Sequence, residues 1–267
     1  MAPARVTVPE LQRRKTDGER ITMVTAYDYP FARIADEAGI DVILVGDSVG
    51  VVVQGHSTTL PVTMDQMIYH TEMVSRGARR AVVIGDMPFM SFQVSDQEAV
   101  RNAGRFIQEG GAAAVKLESG PSMMSRVAAI AAADIPVMAH LGLAPQSIHK
   151  MGGYKVQGRT PTAAQRLLDD AKRAEDAGAF AVLIEGVPPP VAKKITRSLS
   201  IPTVGIGAGP GCDGQVLVLH DLLGLFVEFS PKFVKRYANL RETAVKALTA
   251  YRNDVMSGRF PSARESY

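Results

Sequence analysis

The chain reads as an α/β protein, a (β/α)8 TIM barrel with an N-terminal helix and a C-terminal helical tail. Three observations predict this. Eight short apolar runs alternate with amphipathic segments of helical period along most of the sequence. The runs are near-continuous in Val, Ile and Leu, as parallel strands covered on both faces require. The length of 267 residues falls within the range of one such barrel, so two domains are not demanded. An open doubly wound sheet is the alternative, and it would need a nucleotide-type crevice.

The elements follow in order. "VPELQRRK" gives a short amphipathic helix leading into the domain. The strand-like runs are "RITMVTAY", "DVILVGD", "AVVIGDM", "AAVKLES", "IPVMAHLG", "FAVLIEG", "IPTVGIGAG" and "QVLVLHD". Between them lie "YPFARIADEAG", "MDQMIYHTEMVSRGA", "DQEAVRNAGRFIQEGG", "MMSRVAAIAAAD", "TAAQRLLDDAKRAEDAG" and "PPVAKKITRSLS", all of helical period. Several of these end in Gly just before the next strand, the position where a helix is commonly terminated. Pro136 and Pro202 open their strands, where a missing N–H costs little. Residues 1–267 are expected to form a single barrel domain, with 231–267 a helical extension that carries an apolar stripe and packs on the barrel or on another subunit.

Composition narrows the function. With 46% hydrophobic and 21% charged residues the chain is an ordinary globular protein with a substantial core. No apolar run is long enough to cross a bilayer, and the N-terminus has no apolar core of a secretory signal, so no membrane partner is expected. The net charge of +3 is scattered. Its densest cluster, Arg13-Arg14-Lys15, is short and lacks interleaved aromatics, so no nucleic-acid partner is expected. Cys212 is the sole cysteine, which excludes an intrachain disulfide or a cysteine metal cage, and a reducing cytoplasm fits best.

In a barrel, ligands meet the rim at the C-terminal ends of the strands, so polar residues that terminate apolar runs are the informative ones. Strand one ends in Tyr27-Asp28, strand two in Asp47-Ser48 and strand three in Asp86. Strand four carries Lys116 and Glu118, strand five His140 and strand six Glu185. Lys116 and Glu118 are two apart and share a face. Asp47, Asp86 and Glu118 would bring three carboxylates to one partly buried mouth, a costly arrangement unless a cation is present. Oxygen-only ligands favour Mg²⁺ over zinc. A 2-oxo acid is a natural bidentate guest for Mg²⁺, which acidifies the carbon beside the ketone, and Lys116 adds a positive charge for the substrate's oxygens. Glu185, at the end of the apolar "FAVLIE", is the candidate base, because an apolar setting strengthens a carboxylate as a base.

Each residue has a plainer reading. A lone Asp after a strand is commonly a helix N-cap, Lys116 and Glu118 could be a structural ion pair, Glu185 could be a rim charge, and His140 alone is more often a packing histidine. "GPGCDG" matches the spacing G-x-G-x-x-G, but another apolar run follows it where a dinucleotide fingerprint would open a helix, so a tight turn is the simpler expectation. Lys116 as a Schiff-base nucleophile, an oxo-acid lyase or mutase on the same metal geometry, and a non-catalytic metabolite-binding barrel all remain open at this point.

The blocks "TAYDYPFA", "VGDSVGVVVQGHSTTLPVTMDQMIYHT", "DMPFMSF", "VKLE", "HLGLAPQSIHKMGGYKVQGR" and "IPTVGIGAGPGCDGQVLVLHDLLG" run in this order from about Thr25 to Gly224. With them the sequence resembles the ketopantoate hydroxymethyltransferase (3-methyl-2-oxobutanoate hydroxymethyltransferase) family. The resemblance implies transfer of a hydroxymethyl group from 5,10-methylenetetrahydrofolate to 3-methyl-2-oxobutanoate, giving ketopantoate on the route to pantothenate and coenzyme A. It implies one Mg²⁺ per subunit on Asp47, Asp86 and Glu118, 2-oxo acid contacts at Asp47, Ser48, Asp86 and Lys116, and Glu185 as proton acceptor. It also implies a barrel assembled as a homodecamer. The family usually carries "VLECVP" or similar around the base, where this chain has "VLIEGVPPP" and keeps the carboxylate.

Overall fold

The eight apolar runs close into one parallel barrel because each is flanked by a return segment that brings the chain back to the same end of the sheet. The computed structural model describes residues 4–229 and 231–267. In chain order the elements of the first unit are α1 Val8–Asp17, β1 Ile21–Thr25, α2 Tyr29–Glu37, β2 Val42–Val45, α3 Val49–Val52, α4 Met64–Gly77, β3 Val82–Asp86, α5 Asp96–Gln108, β4 Ala114–Glu118, α6 Met124–Ala132, β5 Val137–Gly142, α7 Ile148–Met151, α8 Pro161–Asp176, β6 Ala181–Glu185, α9 Pro189–Ser198, β7 Thr203–Ile206 and β8 Gly214–Leu217. The strands pair in sequence order, β1 through β8, and β8 closes on β1 with Ile21 opposite Gly214.

The side-chain period of two sorts each strand. Ile21 and Met23, Val42 and Leu44, Val82 and Ile84, Ala114, Met138, Ala181 and Leu183, Val204 and Ile206, and Val216 pack into one buried apolar cluster. These alternate residues are the barrel's filling. Two positions further along the same parity lie Asp86, Lys116, His140 and Glu185, and Glu118 lies two beyond Lys116. The polar residues are therefore the uppermost lumen layers, continuous with the apolar ones beneath.

The helices are capped as their sequences dictate. Thr63 and Gln66 form a reciprocal capping box at α4, and Ser95 and Thr160 accept from the third residue of α5 and α8.

The seventh unit departs from the expected strand-plus-helix repeat. β7 and β8 are joined by residues 207–213 alone, with no helix. Seven extended residues reach about 23 Å, enough to descend beside strands of four residues that rise about 13 Å. The glycines make this descent possible. A Cβ on Gly205 would lie 2.9 Å from Cys212 Sγ, one on Gly211 would lie 2.8 Å from Lys193 Cβ, and one on Gly214 would lie 2.6 Å from the Ile21 carbonyl oxygen. Asp213 fastens the lower end, accepting from Thr203 N at 2.8 Å and pairing with Lys15 at 2.9 Å. The spacing that matches G-x-G-x-x-G is thus a close-packed crossover. The last strand is also shorter than "QVLVLHD" suggested, because the chain turns into a helical segment at Leu219.

Residues 219–267 form a second compact unit, whereas the helical extension was expected from 231. It contains α10 Leu219–Leu222 and α11 Leu240–Met256, and Tyr251 meets Phe260 edge to face at 5.5 Å. Among the described residues no helix is long and apolar enough to cross a membrane.

Candidate active site

The strand register lifts the polar residues in steps around the mouth. Asp86 stands opposite Lys116, Glu118 opposite His140, and Gly142 opposite Glu185. A single chain of contacts results. Glu185 Oε2 lies 3.2 Å from His140 Nε2, with the N–H not aligned on the oxygen. His140 Nδ1 lies 3.2 Å from Lys116 Nζ, which lies 2.9 Å from Asp86 Oδ1. Asp86 Oδ2 accepts from the Asp47 backbone N–H at 3.0 Å. Gln146 then ties Asp47 to Glu118, donating from Nε2 to Asp47 Oδ2 and from its backbone N–H to Glu118 Oε1, both at 2.9 Å.

The plainer readings can now be compared with the geometry. Asp28 is a cap, accepting from Phe31 N at 2.8 Å. Asp47 and Asp86 are not: α3 follows Ser48 without a side-chain cap bond, and α5 is capped by Ser95. Lys116 pairs with Asp86 on the next strand and not with Glu118. Glu185 does not lie in the wholly apolar setting that its run suggested, since it faces His140 and its side chain is 16% exposed. Ser48 is not among the residues of this run of contacts; its Oγ lies 2.8 Å from the Tyr27 hydroxyl.

Burial controls the electrostatics. Asp86 is almost fully enclosed, and desolvation with the nearby Asp47 outweighs the Lys116 ammonium to push its pKa up to about 7. Burial and Asp47 likewise raise Glu118 well above the carboxylate range. Burial opposes the charge on Lys116, yet Asp86, Asp47 and Glu118 together hold its pKa above the ordinary lysine value. Burial and Lys116 lower His140, against the pull of Glu185.

Among the described residues no three Asp, Glu, His or Cys side chains converge into a ready-made ion cage. The donor set still fits Mg²⁺, which takes one or two carboxylates and completes its shell with water. Asp47 and Asp86 adjoin through the 3.0 Å contact, and Glu118 Oε2 is buried without a hydrogen-bond partner among the described residues. A buried carboxylate oxygen without a partner is a position that an ion or a water could satisfy.

Two residues escaped the sequence reading. Gln146 sits in the turn after β5, outside any strand end, and its only signal was membership of the block "HLGLAPQSIHKMGGYKVQGR". Tyr154 lies on the segment that follows. Partial burial raises its pKa, with further contributions from Glu185, Asp47 and Glu118, so its phenol lies within the field of the site.

Comparison with known proteins fits this geometry. The family model described as ketopantoate hydroxymethyltransferase matches residues 5–263. A 3-methyl-2-oxobutanoate hydroxymethyltransferase of Geobacter metallireducens is 57% identical over 261 residues, covering 98% of each chain. One of Moorella thermoacetica is 57% identical over 264 residues, covering 99% of this chain and 98% of the relative. Among solved structures, 2,3-dimethylmalate lyase, described as a PEP mutase/isocitrate lyase superfamily member, aligns with a TM-score of 0.63 at 18% identity, over 99% of this chain and 93% of that one. Phosphonopyruvate hydrolase, in a complex with oxalate and Mg²⁺, aligns with a TM-score of 0.62 at 15% identity, over 97% and 93%. These last two speak to the fold alone. The match along nearly the whole length, with the acids, the lysine and the base candidate in one mouth, makes the chain a member of the ketopantoate hydroxymethyltransferase family.

Proposed function

We propose that this transferase moves a hydroxymethyl group from 5,10-methylenetetrahydrofolate to 3-methyl-2-oxobutanoate, giving ketopantoate, by enolisation with Glu185 as the base. The observation that carries the reading is the unbroken run of contacts from Glu185 through His140 and Lys116 to Asp86 and Asp47 at the mouth of the barrel. The names of the relatives support the substrate and product.

Asp47 and Asp86 would hold Mg²⁺, with Glu118 joining directly or through water. When bound, the ion polarises the 2-oxo carbonyl and acidifies the adjacent C3–H. Lys116 and Ser48 fix the carboxylate and carbonyl oxygens, and the ammonium stabilises negative charge as it develops there. Glu185 takes the C3 proton. Water releases the folate-borne methylene as formaldehyde, with tetrahydrofolate leaving; the enolate carbon bonds to that carbon and the resulting alkoxide takes up a proton, so the new hydroxyl oxygen comes from water. The Schiff-base reading loses support here, because Lys116 is ion-paired with Asp86 and its proton is held against loss.

The test is hydrogen–deuterium exchange at C3 of 3-methyl-2-oxobutanoate, measured by NMR with Mg²⁺ and without folate. Glu185→Gln is expected to slow exchange by about 10³-fold. Binding of the oxo acid should stay close to that of the parent. Exchange at the parent rate would remove Glu185 from the role.

A further inference from the structure

His140 is fully enclosed, and its two ring nitrogens face different charges. Nδ1 lies 3.2 Å from Lys116 Nζ and Nε2 lies 3.2 Å from Glu185 Oε2. An ammonium has donors and no lone pair, so the imidazole nitrogen that meets it must accept. A neutral imidazole that accepts at Nδ1 carries its hydrogen on Nε2. Within the described residues that hydrogen has no better acceptor than Glu185. A doubly protonated ring would set Nδ1–H against the lysine, on a buried side chain where that repulsion is poorly screened. Both the burial and Lys116 also disfavour the charged imidazole.

From this we infer that His140 is a positioning residue, fixed by Lys116 as the Nε2–H tautomer and presenting that N–H to Glu185, so that one carboxylate oxygen is anchored and the other is left for the proton at C3. The inference deepens the enolisation reading and rests on Glu185 being its base. It adds a division of labour. Lys116 serves the substrate's oxygens on one side and orders the base, through the imidazole, on the other. The slack alignment of Nε2 on Glu185 agrees with a contact that tightens when substrate is bound.

The tautomer is measurable without altering the protein. The chain has five histidines. Solid-state ¹⁵N NMR of histidine-labelled protein, with the His140→Asn spectrum assigning the signal, should show Nδ1 bare and Nε2 protonated. Nδ1–H with a bare Nε2, or hydrogens on both nitrogens, would overturn the inference. Two substitutions then separate the contacts. Asparagine ends where Nδ1 sits, so it can still accept from Lys116 but cannot reach Glu185. Glutamine can place an amide N–H near the Nε2 position. His140→Asn should slow C3 exchange by about 100-fold and His140→Gln by about tenfold or less. In both, KM for the oxo acid should move less than about threefold while kcat carries the loss. Equal losses in the two variants would sink the positioning role. Exchange retained in Glu185→Gln would defeat the base assignment, and the tautomer result would still stand on its own.

Discussion

The segment that builds β2 begins and ends with an aspartate, and the two ends of the barrel treat their acids in opposite ways. At the lower end Asp41 accepts from Thr22 N at 3.0 Å and from the Thr22 hydroxyl at 2.7 Å, and it pairs with Arg14 at 2.9 Å and Arg80 at 2.8 Å. Burial works against its charge, yet the Thr22 N–H, Arg80, the Thr22 hydroxyl and Arg14 hold its carboxyl below the usual range. At the upper end one ammonium, Lys116, serves Asp47, Asp86 and Glu118, and burial carries Asp86 and Glu118 above that range. Two guanidiniums for one acid make a fastening. One ammonium for three acids leaves a surplus of negative charge that a dication can satisfy. By charge balance the lower cluster is complete in itself and the upper one is not.

The sharpest way to break that contrast is to neutralise one acid at each end. Asp86→Asn should lower turnover by about 10³-fold, with the fold retained by circular dichroism. Asp41→Asn should do the reverse, costing about 3 kcal/mol in urea unfolding while the folded enzyme keeps its kcat. If both substitutions cost stability and neither affects turnover selectively, the charge-balance argument fails. A smaller effect is expected at Gln146. Gln146→Leu removes the donor to Asp47 while leaving the backbone N–H to Glu118, and calorimetry should find Mg²⁺ affinity weakened by roughly 10–100-fold. Unchanged affinity would mean that this residue only fills space.

The mildest prediction concerns pH. Metal binding needs the ionised carboxylate, and protons compete for it. Asp86 has its pKa near 7, so Mg²⁺ affinity should fall as pH drops through 7, approaching about tenfold per unit below it. Asp41, with its pKa held low, should leave the stability of the lower cluster unaffected over the same window. An affinity flat from pH 8 to 6 would show that Asp86 is not a ligand.

Much of this was legible in the sequence, for a physical reason. Parallel strands alternate inside and outside, so an apolar run that breaks at Asp86, Lys116, Glu118, His140 or Glu185 announces a polar rim at a known height. What the pattern could not supply was adjacency between strands. That His140 stands between Lys116 and Glu185 depends on the stagger of β4, β5 and β6, and no single run contains it. Gln146 was invisible because a turn residue has no period. The helix-less crossover misled for a related reason: its glycines answer to Lys193, Cys212 and Ile21, which are distant in sequence or on another element.

That crossover has a further consequence. Six of the seven connections between strands contain a helix of nine residues or more, and a helix end can lose or gain a residue without dragging on the sheet. The segment 207–213 has no helix to take up such a change; it bends at Gly207 and Gly209, both at positive φ, and is pinned at Asp213. Shortening it by one residue should draw Asp213 away from Thr203 and Lys15 and loosen β8 in the wall, whereas the same deletion at the end of α5 should be absorbed. The barrel thus has a seam, and it runs down the side where the chain spends the fewest residues.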